Sequence, residues 1–168
     1  MSTAAPAAPG LIDALVAQLT VSSRAIHRNL EAVSHEESTK PHDCGGNSAN
    51  WVVGHIVAAR NSLLKALGGK TVMPDDRAAL YRRGSDGTGR DGMRLEDLVA
   101  TLDESQPLLI ESLRRVQGEQ LMAKSPFSSP AGPEASLGEA ISAMVFHEAY
   151  HVGQLGILRR LLGKKGAI

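Results

Sequence analysis

Two histidines, His147 and His151, stand four residues apart in a segment whose apolar spacing is helical from Ala135 to Leu162. At about 100° per residue, that spacing sets both imidazoles on one face, roughly 40° apart and one turn up. The apolar stripe of this segment runs through Leu137, Ala140, Ile141, Met144, Leu155, Leu158 and Leu162. Both histidines fall inside the stripe. A third, His55, falls inside the stripe of another helical segment, among Trp51, Val52, Ile56, Ala59, Leu63 and Ala66. An unpaired buried polar group costs about 1–3 kcal/mol, so three imidazoles aimed into one core need partners. A divalent metal would satisfy all three at once. Imidazole suits Zn, Ni, Cu or Fe(II). Three protein ligands leave at least one coordination position open, the pattern of a catalytic site, whereas structural zinc sites fill all four.

The same residues spell His147-Glu148-Ala149-Tyr150-His151, a match to H-E-x-x-H, in which the glutamate is the general base of a zinc peptidase. No peptidase pattern is completed, however. The metzincin spacing would place a third histidine where Ile157 stands, and nothing acidic follows His151. The third ligand must come from upstream, and His55 is the best placed. Glu148 lies roughly 60° around the helix from His151, near the stripe's edge. It is the candidate catalytic residue, able to orient water at a metal; the alternatives are a pairing with a basic residue across the bundle, or a plain surface glutamate. Tyr150 flanks the pair as a packing residue.

Four long helices must position these groups. Apolar spacing predicts the first over about Leu11–Val33, a second from an N-cap at Asn47 or Ser48 to Gly68–Gly69, and a third over Leu95–Val116. Pro107 predicts a kink or break in the third near Ser105. The fourth opens on a capping-box pair, Ser136 and Glu139, and ends at Gly163, with Arg159, Arg160 and Lys164 near its negative end. Residues 34–50, 70–94 and 118–133 read as loops, the middle one with a short helical piece over Asp75–Arg82. No strand-like alternation, repeat or domain linker is present. The expectation is an all-α four-helix bundle with long loops, one domain over 11–168 behind a frayed start at 1–10.

Composition narrows the classes further. Aromatic residues are 3% of the chain, so Leu, Val, Ile and Ala must build the core, which suits helix-on-helix packing. Equal numbers of basic and acidic residues, 18 each, give no global attraction to nucleic acid or an anionic membrane. No run approaches the ~20 apolar residues that span a bilayer, and the start lacks a secretory pattern, so a cytoplasmic protein is expected. Cys44 is the only cysteine, which excludes an intrachain disulfide; it is a candidate thiol or spare ligand beside His42 and Asp43. His27 and His35 read as surface or supporting residues. Gly87-Thr88-Gly89-Arg90-Asp91-Gly92 fits G-x-G-x-x-G, but without the preceding strand it is no dinucleotide site. The glycines of 84–92 predict instead a mobile loop that could cover the site. Arg82, Arg83, Arg90 and Arg94 form a cluster that is either solvated or meets an anionic substrate.

Asn50-Trp51-Val52-Val53-Gly54-His55-Ile56, together with His147-Glu148-Ala149-Tyr150-His151-Val152-Gly153-Gln154-Leu155, resembles the DinB-like (YfiT-type) superfamily of metalloenzymes. The specific elements are W-x-x-x-H, then H-x-x-x-H followed by x-G-Q. The resemblance implies a bundle with up-down-down-up connectivity, often homodimeric. It implies a divalent metal, commonly zinc or nickel, on His55, His147 and His151. It also implies a small-molecule substrate, with some relatives hydrolases and others thiol-dependent transferases or isomerases that use a low-molecular-weight thiol. The competing expectation is a non-catalytic metal- or ligand-binding bundle with a binding or stress-response role.

Overall fold

The computed structural model describes residues 10–41 and 45–167. The start expected to fray, through residue 9, and the cluster His42, Asp43 and Cys44 lie outside the described residues. Four long helices dominate: α1 (Leu11–Leu30), α3 (Ala49–Ala66), α5 (Leu95–Arg114) and α7 (Leu137–Leu161). Short helices α2 (His35–Ser38), α4 (Asp75–Ala79) and α6 (Gly118–Met122) lie in the connections. No strand is present among the described residues; one isolated bridge joins Lys124 and Ser136. No helix among them is long and apolar enough to cross a membrane.

Each long helix packs on two others: α1 on α5 and α7, α3 on α5 and α7. Side-chain contacts set the directions. Asn50 reaches Met93 and Arg60 reaches Ser105, so α3 and α5 run parallel. Arg159 near the end of α7 reaches Asn29 and Glu31 at the end of α1, so those two are also parallel. His27 meets Asp103, with Leu15 and Leu113 sharing one core cluster at the other end, so α1 and α5 are antiparallel. The bundle is therefore up-down-down-up, and the long 70–94 connection is the crossover that returns the chain to start α5 beside α3.

Local chemistry explains the boundaries. Ser48 caps α3 by accepting from the Trp51 N–H, and Ser136 and Glu139 form the capping box of α7. Helix α1 stops at Leu30, three residues earlier than its apolar spacing suggests. Ala32 takes a left-handed φ of 56°, and Ser34 caps α2 immediately afterwards. The Arg159 guanidinium donates to the carbonyls of Asn29 and Glu31 at the helix end, at 3.1 and 2.6 Å. Of the kink or break expected near Ser105, the break does not occur: α5 passes Pro107 as one helix. Pro107 and Asp103 are both exposed, which sets the proline on the wet side of the helix, where water can reach a carbonyl left without its helical donor.

The core divides into two apolar clusters, one around Ile26, Val52, Ile56, Leu98 and Leu155, the other around Leu19, Leu64, Leu109 and Ile141. A polar layer sits between them. Arg60 is 2% exposed and Glu148 4%, and the Arg60 Nε and Nη2 donate to the two Glu148 oxygens at 2.6 and 2.7 Å. Arg60 Nη1 also donates to Ser105 Oγ at 3.1 Å. This layer ties α3 to α7 and α5 at one level, adjacent to the histidines.

Candidate metal centre

Helix α3 presents His55 and α7 presents His147 and His151, one turn apart, to a common point. His147 Nε2 lies 3.2 Å from His55 Nε2 and 3.1 Å from His151 Nε2. The ligating nitrogens of all three lie within 4.8 Å of one another. A tetrahedral zinc with Zn–N of about 2.0–2.1 Å requires nitrogens about 3.3 Å apart, and tighter ligand angles bring them closer. The spacing therefore fits a small divalent cation.

The outer nitrogens show which tautomers are present. His55 Nδ1 lies 2.6 Å from the Tyr81 carbonyl, which only accepts, so Nδ1 carries the proton and Nε2 turns a lone pair inward. His151 Nδ1 donates likewise to Gln154 Oε1 at 2.6 Å, and the Gln154 amide is oriented by its Nε2 donating to the Tyr150 hydroxyl at 3.3 Å. His147 Nδ1 is buried without a hydrogen-bond partner. Two lone pairs thus face the Nε2 of His147, which could donate to only one of them. A cation at the centre satisfies all three nitrogens; no single proton does. Burial, and for His147 and His151 the neighbouring imidazoles as well, hold all three below the usual histidine pKa, His147 down to about 4. All three are therefore neutral ligands at pH 7, as metal binding requires.

Supporting groups fix each ring. Trp51, one turn before His55, stacks on it with centroids 4.7 Å apart and planes 8° from parallel. The indole N–H is anchored by Ser85 Oγ at 2.7 Å. Tyr81, whose carbonyl holds His55, is wholly buried, and its hydroxyl accepts from the Met93 N–H at 2.6 Å. Gly54 is required here, since a Cβ at that position would run into the Tyr81 ring. The glycine-rich stretch is therefore a packed strut. Ser48 N–H donates to the Gly87 carbonyl at 2.9 Å, Ser48 Oγ to Thr88 at 2.6 Å, and Asn50 Nδ2 to Met93 at 3.0 Å. Where the sequence suggests a mobile cover for the site, the structure packs this stretch against the start of α3, and several of its glycines serve left-handed turns and close backbone approach.

Glu148 lies beside the triad in sequence but spends both oxygens on Arg60. It takes the cross-bundle pairing that was one of its alternatives. His27 and His35 are engaged elsewhere, with Asp103 and the Leu95 N–H. Gln154, Tyr81 and Arg60 are the supporting residues that sequence reading does not assign. Only Gln154 leaves a trace there, three residues after His151 and hence on the same helical face.

A family model described as the DinB superfamily matches residues 18–155. The solved structure of YfiT from Bacillus subtilis, described as a probable metal-dependent hydrolase with an unusual four-helix bundle topology, has a TM-score of 0.68 at 18% identity, over 98% of this chain and 95% of that one. A conserved protein from Enterococcus faecalis has a TM-score of 0.67 at 15% identity, over 94% of this chain and 100% of that one. No curated protein matches this chain. At these identities the structural likeness concerns the fold.

Proposed function

The chain belongs to the DinB superfamily, and from that premise we propose that it is a metal-dependent enzyme acting on a small molecule. The convergence of three inward-facing Nε2 atoms carries this reading. His55, His147 and His151 would hold one divalent metal, zinc or nickel. That metal would supply a Lewis acid which lowers the pKa of a coordinated water or thiol.

The chain's own residues do the rest. Tyr81 and Gln154 keep protons on the outer nitrogens of His55 and His151, and the Trp51 stack stops His55 from rotating. Arg60 and Glu148 lock the helix carrying His55 against the helix carrying the other two. Hydrolysis is the first reading, supported by the description of YfiT. Thiol transfer is the second, and one observation favours it. Both Glu148 oxygens are committed to Arg60, and a thiol, with a pKa near 8.5, needs far less help from a base than water does. A homodimer in the cytoplasm belongs to the same proposal.

The test is elemental analysis of untagged protein, followed by turnover assays with activated esters and with thiols plus electrophiles. Metal in the parent, none in His147→Ala, and turnover that follows the metal would support the enzyme. Metal without turnover on either panel would favour the non-catalytic bundle.

A further inference from the structure

A cavity of about 450 Å³ has His55, alone of the triad, in its lining. Its floor is one face of α3, where Ala58, Ala59 and Ser62 leave room that larger residues would fill. Phe127, from the connection between α6 and α7, also lines it. Arg82 and Arg83 also line it, and both are exposed. The lining also holds Lys65 and Asp75, which pair with each other at 3.4 Å. Arg82 and Arg83 have no ion-pair partner among the described residues, whereas Arg94, of the same sequence cluster, is paired with Glu96 at 3.3 Å. The cavity thus combines small apolar residues of α3, an aromatic ring, two guanidinium groups without an ion-pair partner and one histidine of the triad. Guanidinium groups present forked donors that match the oxygens of a carboxylate or phosphate.

We propose that this cavity binds a small organic anion, its charged group on Arg82 and Arg83 and its apolar body against the alanines of α3 and Phe127. As a statement about substrate class this rests on the metal-enzyme reading; the anion site itself does not. A neutral molecule of the same shape would leave both guanidinium groups without a counter-charge and would bind less tightly.

The test is calorimetric titration of the protein as isolated with benzoate, phenylbutyrate and phenyl phosphate, with benzamide as the neutral control. Metal content is measured on each sample. At least one anion should bind, and more tightly than benzamide. The double variant Arg82→Gln/Arg83→Gln changes only exposed side chains. It should keep the metal and lose about tenfold or more in anion affinity. Retained affinity in that variant, or no binding by any of the three anions, would overturn the proposal. Loss of binding in His147→Ala but not in the arginine variant would also overturn it, since the anion would then be held by the metal. If anion binding depends on the arginines while His147→Ala leaves metal content unchanged, the cavity assignment stands and the metal reading fails.

Discussion

Replacing Glu148 with glutamine tests what the carboxylate does. The substitution removes the charge opposite Arg60, which is 2% exposed and has no second carboxylate partner among the described residues. Its other bonds, to Ser105 and the Leu102 carbonyl, are to neutral groups. Breaking a buried ion pair from one side costs about 3–5 kcal/mol, because the surviving charge is left uncompensated. For a chain of this size each kcal/mol moves Tm by about 2–4 °C, so Glu148→Gln should lower it by roughly 6–20 °C. Differential scanning calorimetry reads this directly. Removing both charges, as Arg60→Met/Glu148→Leu, should recover most of the loss, since well-packed apolar residues replace such pairs at little or no cost. A Tm within about 1 °C of the parent in Glu148→Gln would refute the role of the pair. Turnover abolished with Tm and metal content unchanged would show that Glu148 acts on the reaction itself and does not serve as the lock between α3 and α7.

Three further outcomes follow from the same geometry. Gln154→Ala removes the acceptor for His151 Nδ1 and should weaken metal affinity by about 10–100-fold in a competitive chelator titration, with little change in fold. Gly54→Ala drives a methyl into the buried Tyr81 ring and should destabilise the protein by about 1–3 kcal/mol in urea unfolding, with metal affinity falling as the Tyr81 carbonyl moves. The metal-free protein should lose stability in acid. The triad is held below the ordinary histidine pKa of 6.5, His147 at about 4, so the unfolded chain takes up protons first. This contribution is complete above pH 6.5 and falls away as the pH drops toward 4. Urea midpoints across that window should decline less steeply in His147→Gln than in the parent.

Much of the fold is legible in the sequence because the helices are long, amphipathic and locally capped. Ser136 with Glu139, and Ser48 with Trp51, mark helix starts through bonds made within one turn. The triad is legible for a similar reason: four-residue spacing fixes His147 and His151 on one face, and His55 shares the apolar face of its own helix. What sequence reading misses depends on tertiary contact. Arg60 has no local sign of its role, and Glu148, at the edge of its helix's apolar stripe, shows which of its alternatives holds only once α3 meets α7. Pro107 reads as a breaker because nothing local shows that its helix turns that face to water. The glycines of 84–92 read as flexible because the same φ freedom that permits motion also permits close packing against Asn50 and Tyr81. The end of α1 is held partly by Arg159, from the last helix, which donates to the carbonyls of Asn29 and Glu31.

The central claim concerns one point in space shared by three nitrogens. X-ray absorption on untagged protein, paired with metal stoichiometry, addresses it directly. We expect about one metal per chain, with three imidazole nitrogens at about 2.0–2.1 Å if the ion is zinc, and loss of the ion in His55→Ala and His147→Ala alike. A protein that purifies without metal and binds none when offered zinc or nickel, or one that keeps its metal in both variants, would contradict the account.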